Sequence, residues 1–405
     1  MNSGGSRLPP PAFVRPHDRE IDALASMLNG APRVTLLCGR GCLGAHAQLM
    51  RLAEALKSPI VHALGGKDAV EHENPYDVGM TGLIGFSSGY FAMNDCDMLL
   101  MLGTDFPYRQ FYPTEARIAQ IDLRAESLGR RCPIDLGLIG DVGPTIDALL
   151  PRLVTKSDRI HLDRCVAHYA RARNDLDDLA VGHPGHKPIH PQFLARTISE
   201  LAAEDAVFTC DVGTPTVWAA RYLRMNGRRR LIGSFVHGSM ANAMPQALGV
   251  QAAFPGRQVV ALCGDGGFTM LMGDFITLIQ EELPVKVVLF NNGTLGFVEL
   301  EMKAAGFLDS GVELINPDFA AMARAAGVFS RRVEDPGELA DAAQAVLTHD
   351  GPGLLDVVTA RQELAMPPKI EFSQAAGFSL WLLKAVLDGR GTEIVDLART
   401  SLQRR

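Results

Sequence analysis

Asp265 and Asn292 are the side chains of this 405-residue chain whose types and spacing best suit a chemical task. Asp265 lies in Gly264-Asp265-Gly266-Gly267, directly after the apolar run 259–263. Asn292 closes Asn291-Asn292 after the apolar run 285–290, with twenty-five residues separating it from Gly266. One anionic oxygen, one amide oxygen and the backbone carbonyl of Thr294 form a hard donor set. Such a set suits Mg²⁺, which takes octahedral oxygen ligands and often completes its shell with phosphate oxygens and water. The glycines let the backbone come close to a diphosphate and leave N–H groups to bind it. An isolated Gly-Asp-Gly is usually just a turn. Here the frame adds weight: strand, helix, strand, with both strand ends at the carboxyl edge of a sheet, where open α/β folds bind ligands. The helix of that unit places Leu271, Phe275, Leu278 and Ile279 on one face and ends at Pro284.

A second glycine turn follows the apolar run 34–37, with Gly39, Gly41 and Gly44 in GxGxxG spacing. Taken alone it suggests a nicotinamide-dinucleotide turn. The run 60–63, however, does not end in the acidic residue such a site uses for the ribose. Close helix–strand packing explains the glycines equally well. The seven cysteines are spread singly with no CxxC pair, and read as reduced, mostly core residues.

These turns need elements to hold them. Runs at 34–37, 60–63, 98–102 and 118–121 alternate with helical stretches such as 45–56. Runs at 206–209, 259–263, 285–290 and 354–358 do the same further on. Alternation of this kind predicts an α/β fold of two doubly wound parallel-sheet domains, followed by a helical C-terminal segment. The expected boundaries are a Gly/Ser/Pro-rich disordered tail at 1–17, a first domain at 18–155, a helical linker at 156–188, a second domain at 189–361 and a C-terminal segment at 362–405. With 47% hydrophobic residues the chain is long enough for two cores. A net charge of -7 argues against a nucleic-acid partner, and Arg228 to Arg230 reads as a solvated turn. No basic-then-apolar leader opens the chain, which predicts a cytoplasmic location.

The motif around Asp265 and Asn292 resembles the thiamine diphosphate (ThDP) binding motif of the decarboxylase and oxidase superfamily. Residues 209–214, with Gly213 and Thr214, resemble that family's first diphosphate loop. Gly238-Ser239-Met240 resembles its aminopyrimidine-contacting segment, where a large apolar residue holds the cofactor bent, a role that falls to Met240. The resemblance implies a ThDP site lined also by Asp265, Gly266, Gly267, Asn292, Gly293, Thr294, Leu295, Gly296, Phe297 and Val298. Asp265, Asn292 and the Thr294 carbonyl would be its metal ligands. Stretches 209–223, 233–250, 290–305 and 370–392 are more specifically similar to pyruvate:quinone oxidoreductase, also called pyruvate oxidase, a flavin-dependent peripheral membrane enzyme. Without the resemblance, Met240 and Phe297 would be assigned to the core.

What that family implies is oxidative decarboxylation of pyruvate to acetate and CO₂, with electrons passing through FAD to ubiquinone. Phe297 matches the aromatic residue between ThDP and flavin. The first domain would bind FAD through Gly39, Gly41, Thr81, Gly82, Leu83, Ile84, Thr104, Asp105, Phe106, Pro107, Tyr108 and Asp122. A homo-oligomer is expected. So is peripheral contact with the inner face of the cell membrane, through an amphipathic helix at 392–405 with Ile394, Val395, Ala398 and Leu402 on one face. The family's pyrimidine-binding domain, which carries an activating glutamate, has no counterpart among the motifs, and a separate domain supplying it is an expected partner. The alternatives are a non-catalytic cofactor-binding or regulatory subunit, and an acetolactate synthase-like enzyme.

Overall fold

A computed structural model of the chain describes residues 13–182, 187–361, 380, 381 and 384. Residues 1–12 of the expected tail, the centre of the 181–188 loop and the amphipathic helix expected at 392–405 lie outside the described residues. The described residues fall into two compact units. The first lies within Met1–Val70, Asn74–Gly79 and Phe91–Val166; the second lies within Glu71–Glu73, Met80–Tyr90 and Ala167–Arg405.

The first unit holds six strands: β1 (Val34–Cys38), β2 (Ile60–His62), β3 (Asp77–Met80), β4 (Met98–Leu102), β5 (Arg117–Asp122) and β6 (Leu136–Ile139). Their order across the sheet is β3-β2-β1-β4-β5-β6. That is the doubly wound order of dinucleotide-binding domains, reversing direction between β1 and β4. β1 and β4 are buried along their whole length, as strands covered on both faces must be. Helices Asp18–Gly30, His46–Leu56 and Val142–Leu149 cover one face. Ile21, Leu24, Leu49, Leu52, Ile146 and Leu149 pack there with Val34, Leu36 and Leu100. Their spacing of three and four residues is the helical apolar stripe. The expected disordered tail stops short of His17. Val14 and Asp141 are joined by a backbone hydrogen bond of 2.9 Å, and His17 caps the helix that starts at Asp18 in a reciprocal box with Glu20.

The second unit holds β7 (Val207–Cys210), β8 (Arg230–Gly233), β9 (Val259–Gly264), β10 (Lys286–Asn291), β11 (Phe329–Val333) and β12 (Gly353–Val358). Their order is β11-β12-β10-β9-β7-β8, parallel in each pairing. Val259, Ala261, Val287 and Leu289 meet Phe268, Phe275, Leu278 and Phe319 in its core. Phe268 stands edge-on to both Phe275 and Phe319, with ring centroids 5.7 Å apart in each case.

Two expectations need correction. The helix between β9 and β10 is two short helices, Asp265–Met270 and Asp274–Gln280, broken around Gly273. The break turns Leu271 and Ile279 outward, so only Phe275 and Leu278 of the expected face are buried. Arg229 is not solvated: its guanidinium donates to the carbonyls of Ser199, Ala202 and Ala203 at the end of helix Pro191–Leu201. Orphan carbonyls at a helix C-terminus attract a cation for that reason.

Candidate functional site

The site grows from the carboxyl ends of the neighbouring strands β7, β9 and β10. Phe290 of β10 stands opposite Gly264 of β9, so Asp265 and Asn292 leave the sheet nearly level. Asp265 opens helix Asp265–Met270 and is buried. Its Oδ1 accepts the Gly266 N–H at 2.8 Å. Its Oδ2 accepts the Gly293 N–H and the Asn316 amide, each at 2.7 Å. Burial raises the Asp265 pKa above the ordinary carboxylate value, against the lowering effect of those donors. Asn292 Oδ1 accepts the Thr294 N–H at 3.2 Å, which folds the loop back on itself. Gly293 and Leu295 pair with Leu314 and Val312, both at 2.9 Å. The Thr294 carbonyl takes no part in that pairing.

The glycines make the cradle. Gly293 and Gly238 hold φ of +68° and +75°, a region that disfavours other residues. A side chain on Gly267 would place its Cβ 2.3 Å from Asp211 Oδ2, and one on Gly266 would come 2.7 Å from Leu295 Cδ2. The same point at Gly266 lies 3.5 Å from Met240 Cε, and a Cβ on Gly296 would meet Thr214 Cγ2 at 2.9 Å and Asn292 Nδ2 at 3.3 Å. Met240, Gly266, Leu295, Thr214, Gly296 and Asn292 therefore converge. Gly213 caps helix Thr214–Tyr222, aiming that helix's N-terminal N–H groups at the carboxyl edge. Phe297 begins helix Gly296–Ala304 half-buried, and Val298 is exposed. Ser239 accepts the Val212 N–H at 3.3 Å, tying the Gly238–Met240 turn to the loop after β7.

A divalent ion at Asp265, Asn292 and Thr294 would have one carboxylate and two neutral oxygens. Among the described residues no group of three or more His, Cys, Asp or Glu side chains could hold a metal. Such a site retains the ion only when other anionic oxygens complete the shell, which a diphosphate bound near the Gly213 helix end would supply. The residues present fit a metal–diphosphate pair.

Sequence reasoning missed several supports. Asn316 and Asn242 are loop asparagines whose amides do the bracing: Asn242 donates to the Ser239 carbonyl at 2.6 Å and accepts from the Ser234 N–H at 3.0 Å. Asp211 is buried, with Oδ1 accepting the Ala243 N–H at 2.9 Å and burial pushing its pKa up to about 6. Glu299, on the helix that follows the motif, is buried. Its Oε1 meets Lys303 Nζ at 2.6 Å and its Oε2 accepts from Thr294 Oγ1 at 2.7 Å. Arg361 Nε reaches the same Oε2 at 3.2 Å, and Lys303 Nζ lies 4.8 Å above the Trp381 ring. Burial would raise Glu299, but the Lys303 hydrogen bond and charge outweigh it and hold the carboxyl below its ordinary range. Only the acidic i, i+4 spacing to Lys303 hinted at this.

The residues matched to a flavin site divide between the units. In the first, the loops after β1 and β4 interlock. A Cβ on Gly39 would lie 2.5 Å from Thr104 Cβ, and one on Gly41 would lie 2.7 Å from Gly103 Cα. The GxGxxG glycines thus serve close backbone approach at the switch point. Asp122 ends β5 beside them and turns its Oδ1 to the Arg124 N–H at 2.9 Å. Asp105 is paired in fork geometry with Arg131, at 2.7 and 3.0 Å. Phe106 packs edge-on with Tyr108, Phe111 and Tyr112, and Pro107 is exposed. Thr81, Gly82, Leu83 and Ile84 belong to the second unit, where the Ile84 carbonyl accepts from Arg221 Nε at 3.0 Å.

Two sheets of this order, with a metal-diphosphate cradle at the carboxyl edge of the second, define the class. Residues 211–357 match the thiamine pyrophosphate enzyme C-terminal TPP-binding domain, and residues 21–149 match the thiamine pyrophosphate enzyme central domain. The chain belongs to the thiamine pyrophosphate enzyme family. It is 35% identical over 387 residues to the putative thiamine pyrophosphate-containing protein YdaP of Bacillus subtilis, covering 96% of this chain and 67% of that one. It is 33% identical over 378 residues to the acetolactate synthase large subunit of Parasynechococcus marenigrum, covering 90% and 59%. An uncharacterised 42.6 kDa protein of Pseudomonas amyloderamosa is 64% identical over 177 residues, 44% of this chain and 45% of that one. The chain spans 45 to 67% of the length of these relatives. Among the described residues no helix is long and apolar enough to cross a membrane.

Proposed function

We propose that this chain supplies the metal and diphosphate site of an enzyme that oxidatively decarboxylates pyruvate. Pyruvate and water give acetate and CO₂, and two electrons with two protons pass by way of FAD to a quinone. The observation that carries the reading is the meeting of two loops at one strand edge, with Met240 against Gly266, Asn292 and Thr294 against Gly296, and Asp265 bonded to Gly293. Bound thiamine diphosphate supplies a carbon nucleophile and an electron sink for keto-acid cleavage. The chain's own residues do the rest. Asp265, Asn292 and the Thr294 carbonyl hold the metal. Gly213, Gly238, Gly266, Gly267 and Gly293 let backbone come close, and Met240 and Leu295 shield the site with apolar surface. The pyruvate:quinone reading rests on the resemblance of stretches 209–223, 233–250, 290–305 and 370–392 alone; the names of the relatives favour the second reading below. A pyrimidine-binding domain, on this or another polypeptide, completes the active centre.

A second reading is acetolactate synthesis, in which two pyruvate molecules give acetolactate and CO₂. Its support is the name carried by relatives such as that of Parasynechococcus marenigrum. One assay separates the readings. The chain is incubated with pyruvate, ThDP, Mg²⁺, FAD and ferricyanide, with a pyrimidine-binding domain supplied in trans, and the products are quantified. Acetate with stoichiometric ferricyanide reduction is the expected result; acetolactate would establish the second reading. A flavin spectrum with neither product would mark a non-catalytic cofactor-binding subunit.

A further inference from the structure

A chain of side-chain hydrogen bonds runs beneath the metal-site carboxylate. Arg332 on β11 donates through Nη1 to Asp356 Oδ2 at 2.7 Å. Asp356, fully buried on β12, accepts through Oδ1 from the Asn291 amide at 2.8 Å. The Asn291 carbonyl oxygen accepts from Asn316 Nδ2 at 2.9 Å, and the same Nδ2 donates to Asp265 Oδ2 at 2.7 Å. Every amide in this line has its orientation fixed. Asp356 can only accept, so Asn291 must present its nitrogen there and its oxygen toward Asn316. Asn316 must then present its nitrogen to both acceptors. The ion pair with Arg332 offsets part of the cost of burying the Asp356 carboxylate, whose pKa burial still holds above its ordinary value. Asp265 Oδ2 thereby holds two donors, from Gly293 and Asn316, which fill its in-plane lone pairs. Among the described residues Oδ1 has one hydrogen bond, from Gly266, and is the oxygen with a lone pair left for a cation.

From this geometry we infer that Asn316 is a positioning residue for the metal, aiming Asp265 Oδ1 through a polarity set by the Arg332–Asp356 pair. The inference rests on the thiamine diphosphate reading of the site. Outer partners that orient a ligating carboxylate typically change metal affinity by ~10–100-fold when removed. Asn316 sits half-buried on a loop between Ile315 and Pro317, outside the apolar core.

The test is Mn²⁺ binding to the full chain at saturating ThDP, read by loss of the free-ion EPR signal, together with ligand-free melting temperature. Asn316→Leu keeps the branched heavy-atom shape and removes the amide donor; Asn316→Gln keeps a donor. Expected is at least ~10-fold weaker Mn²⁺ binding for Asn316→Leu, part of which Asn316→Gln restores, with ligand-free melting the same in all three proteins. A role in packing alone would track side-chain shape, and would leave the isosteric Leu closer to wild type than the longer Gln. That ranking, or an unchanged affinity in Asn316→Leu, overturns the inference while the site reading stands. If Asn316→Leu melts early, the Asn316→Gln affinity decides: a value equal to wild type with one donor kept supports the inference, and a loss as large as that of Leu overturns it. A wild-type chain that takes up no Mn²⁺ with ThDP present removes both the site reading and the inference.

Discussion

The backbone N–H of Gly293 donates to the Asp265 carboxylate at 2.7 Å, stitching together two loops that are 28 residues apart in the chain. This single bond joins the two halves of the motif. It forms only because β9 and β10 are neighbours in register, which brings the end of one strand level with the end of the other.

Removing the carboxylate should abolish the cation site without unfolding the sheet. Asp265→Ala is expected to lower divalent-ion affinity at saturating ThDP by more than the ~100-fold upper range for outer partners, since it removes the only anionic ligand. Isothermal titration with Mg²⁺ reads this out. Undiminished heat in the variant would place the cation elsewhere.

Asp211 gives a pH dependence of defined sign. Burial raises its folded pKa from 3.8 to about 6, so the folded state binds the proton more tightly than the unfolded state. Between those values stability falls as pH rises, and above about 6 the charge costs up to about 3 kcal/mol. Asp211→Asn removes that cost. The melting temperature of the variant relative to wild type is therefore expected to drop as pH is lowered from 8 to 4. A difference constant with pH would show that Asp211 does not titrate in that window.

Lys303 and Glu299 form a buried ion pair, with side-chain exposures of 2% and 5%. Breaking it on one side leaves a buried charge: Lys303→Met should cost about 3 kcal/mol, the low end for such losses, because Arg361 and Thr294 still reach Glu299. Removing both charges, with Glu299→Gln added, should recover part of the loss. Urea denaturation measures each variant. Since Glu299 titrates below its unfolded value of 4.5, its share of stability is present above that pH and is lost as pH falls through the folded pKa. Equal costs for the single and double variants would contradict an ion-pair role.

Adjacent glycines should respond unequally. Gly267→Ala drives its Cβ against Asp211 Oδ2 and the Ala241 nitrogen, whereas Gly266→Ala meets the flexible tips of Leu295 and Leu314. Gly267→Ala is expected to lower both stability and ThDP affinity, and Gly266→Ala mainly the affinity. Thermal melts with and without ThDP distinguish them.

Eight strands were legible as apolar runs, and the four that were not are β3, β6, β8 and β11. These are the two edges of each sheet. Central strands are buried on both faces and so are mostly apolar, as β1, β4 and β10 are. An edge strand such as β11, Phe329–Val333, exposes Arg331 and Arg332 and so carries no such run. Asp265, Asn292 and the glycines around them were readable because glycine and a lone acid at a strand end leave a local signature. Asn316, Asp356, Arg332, Asn242 and Glu299 carried almost none.

The sequence by itself determined the alternation of strands and helices and the two sheets, and it set Asp265 and Asn292 directly after two strand ends, since periodicity and turn chemistry act over a few neighbouring residues. Only the tertiary structure decided which amides hold that carboxylate, and that Glu299 and Arg229 are buried rather than solvated. Those outcomes depend on partners tens of residues away, brought near by strand order. A polar side chain becomes a brace or a surface group according to what the fold sets opposite it.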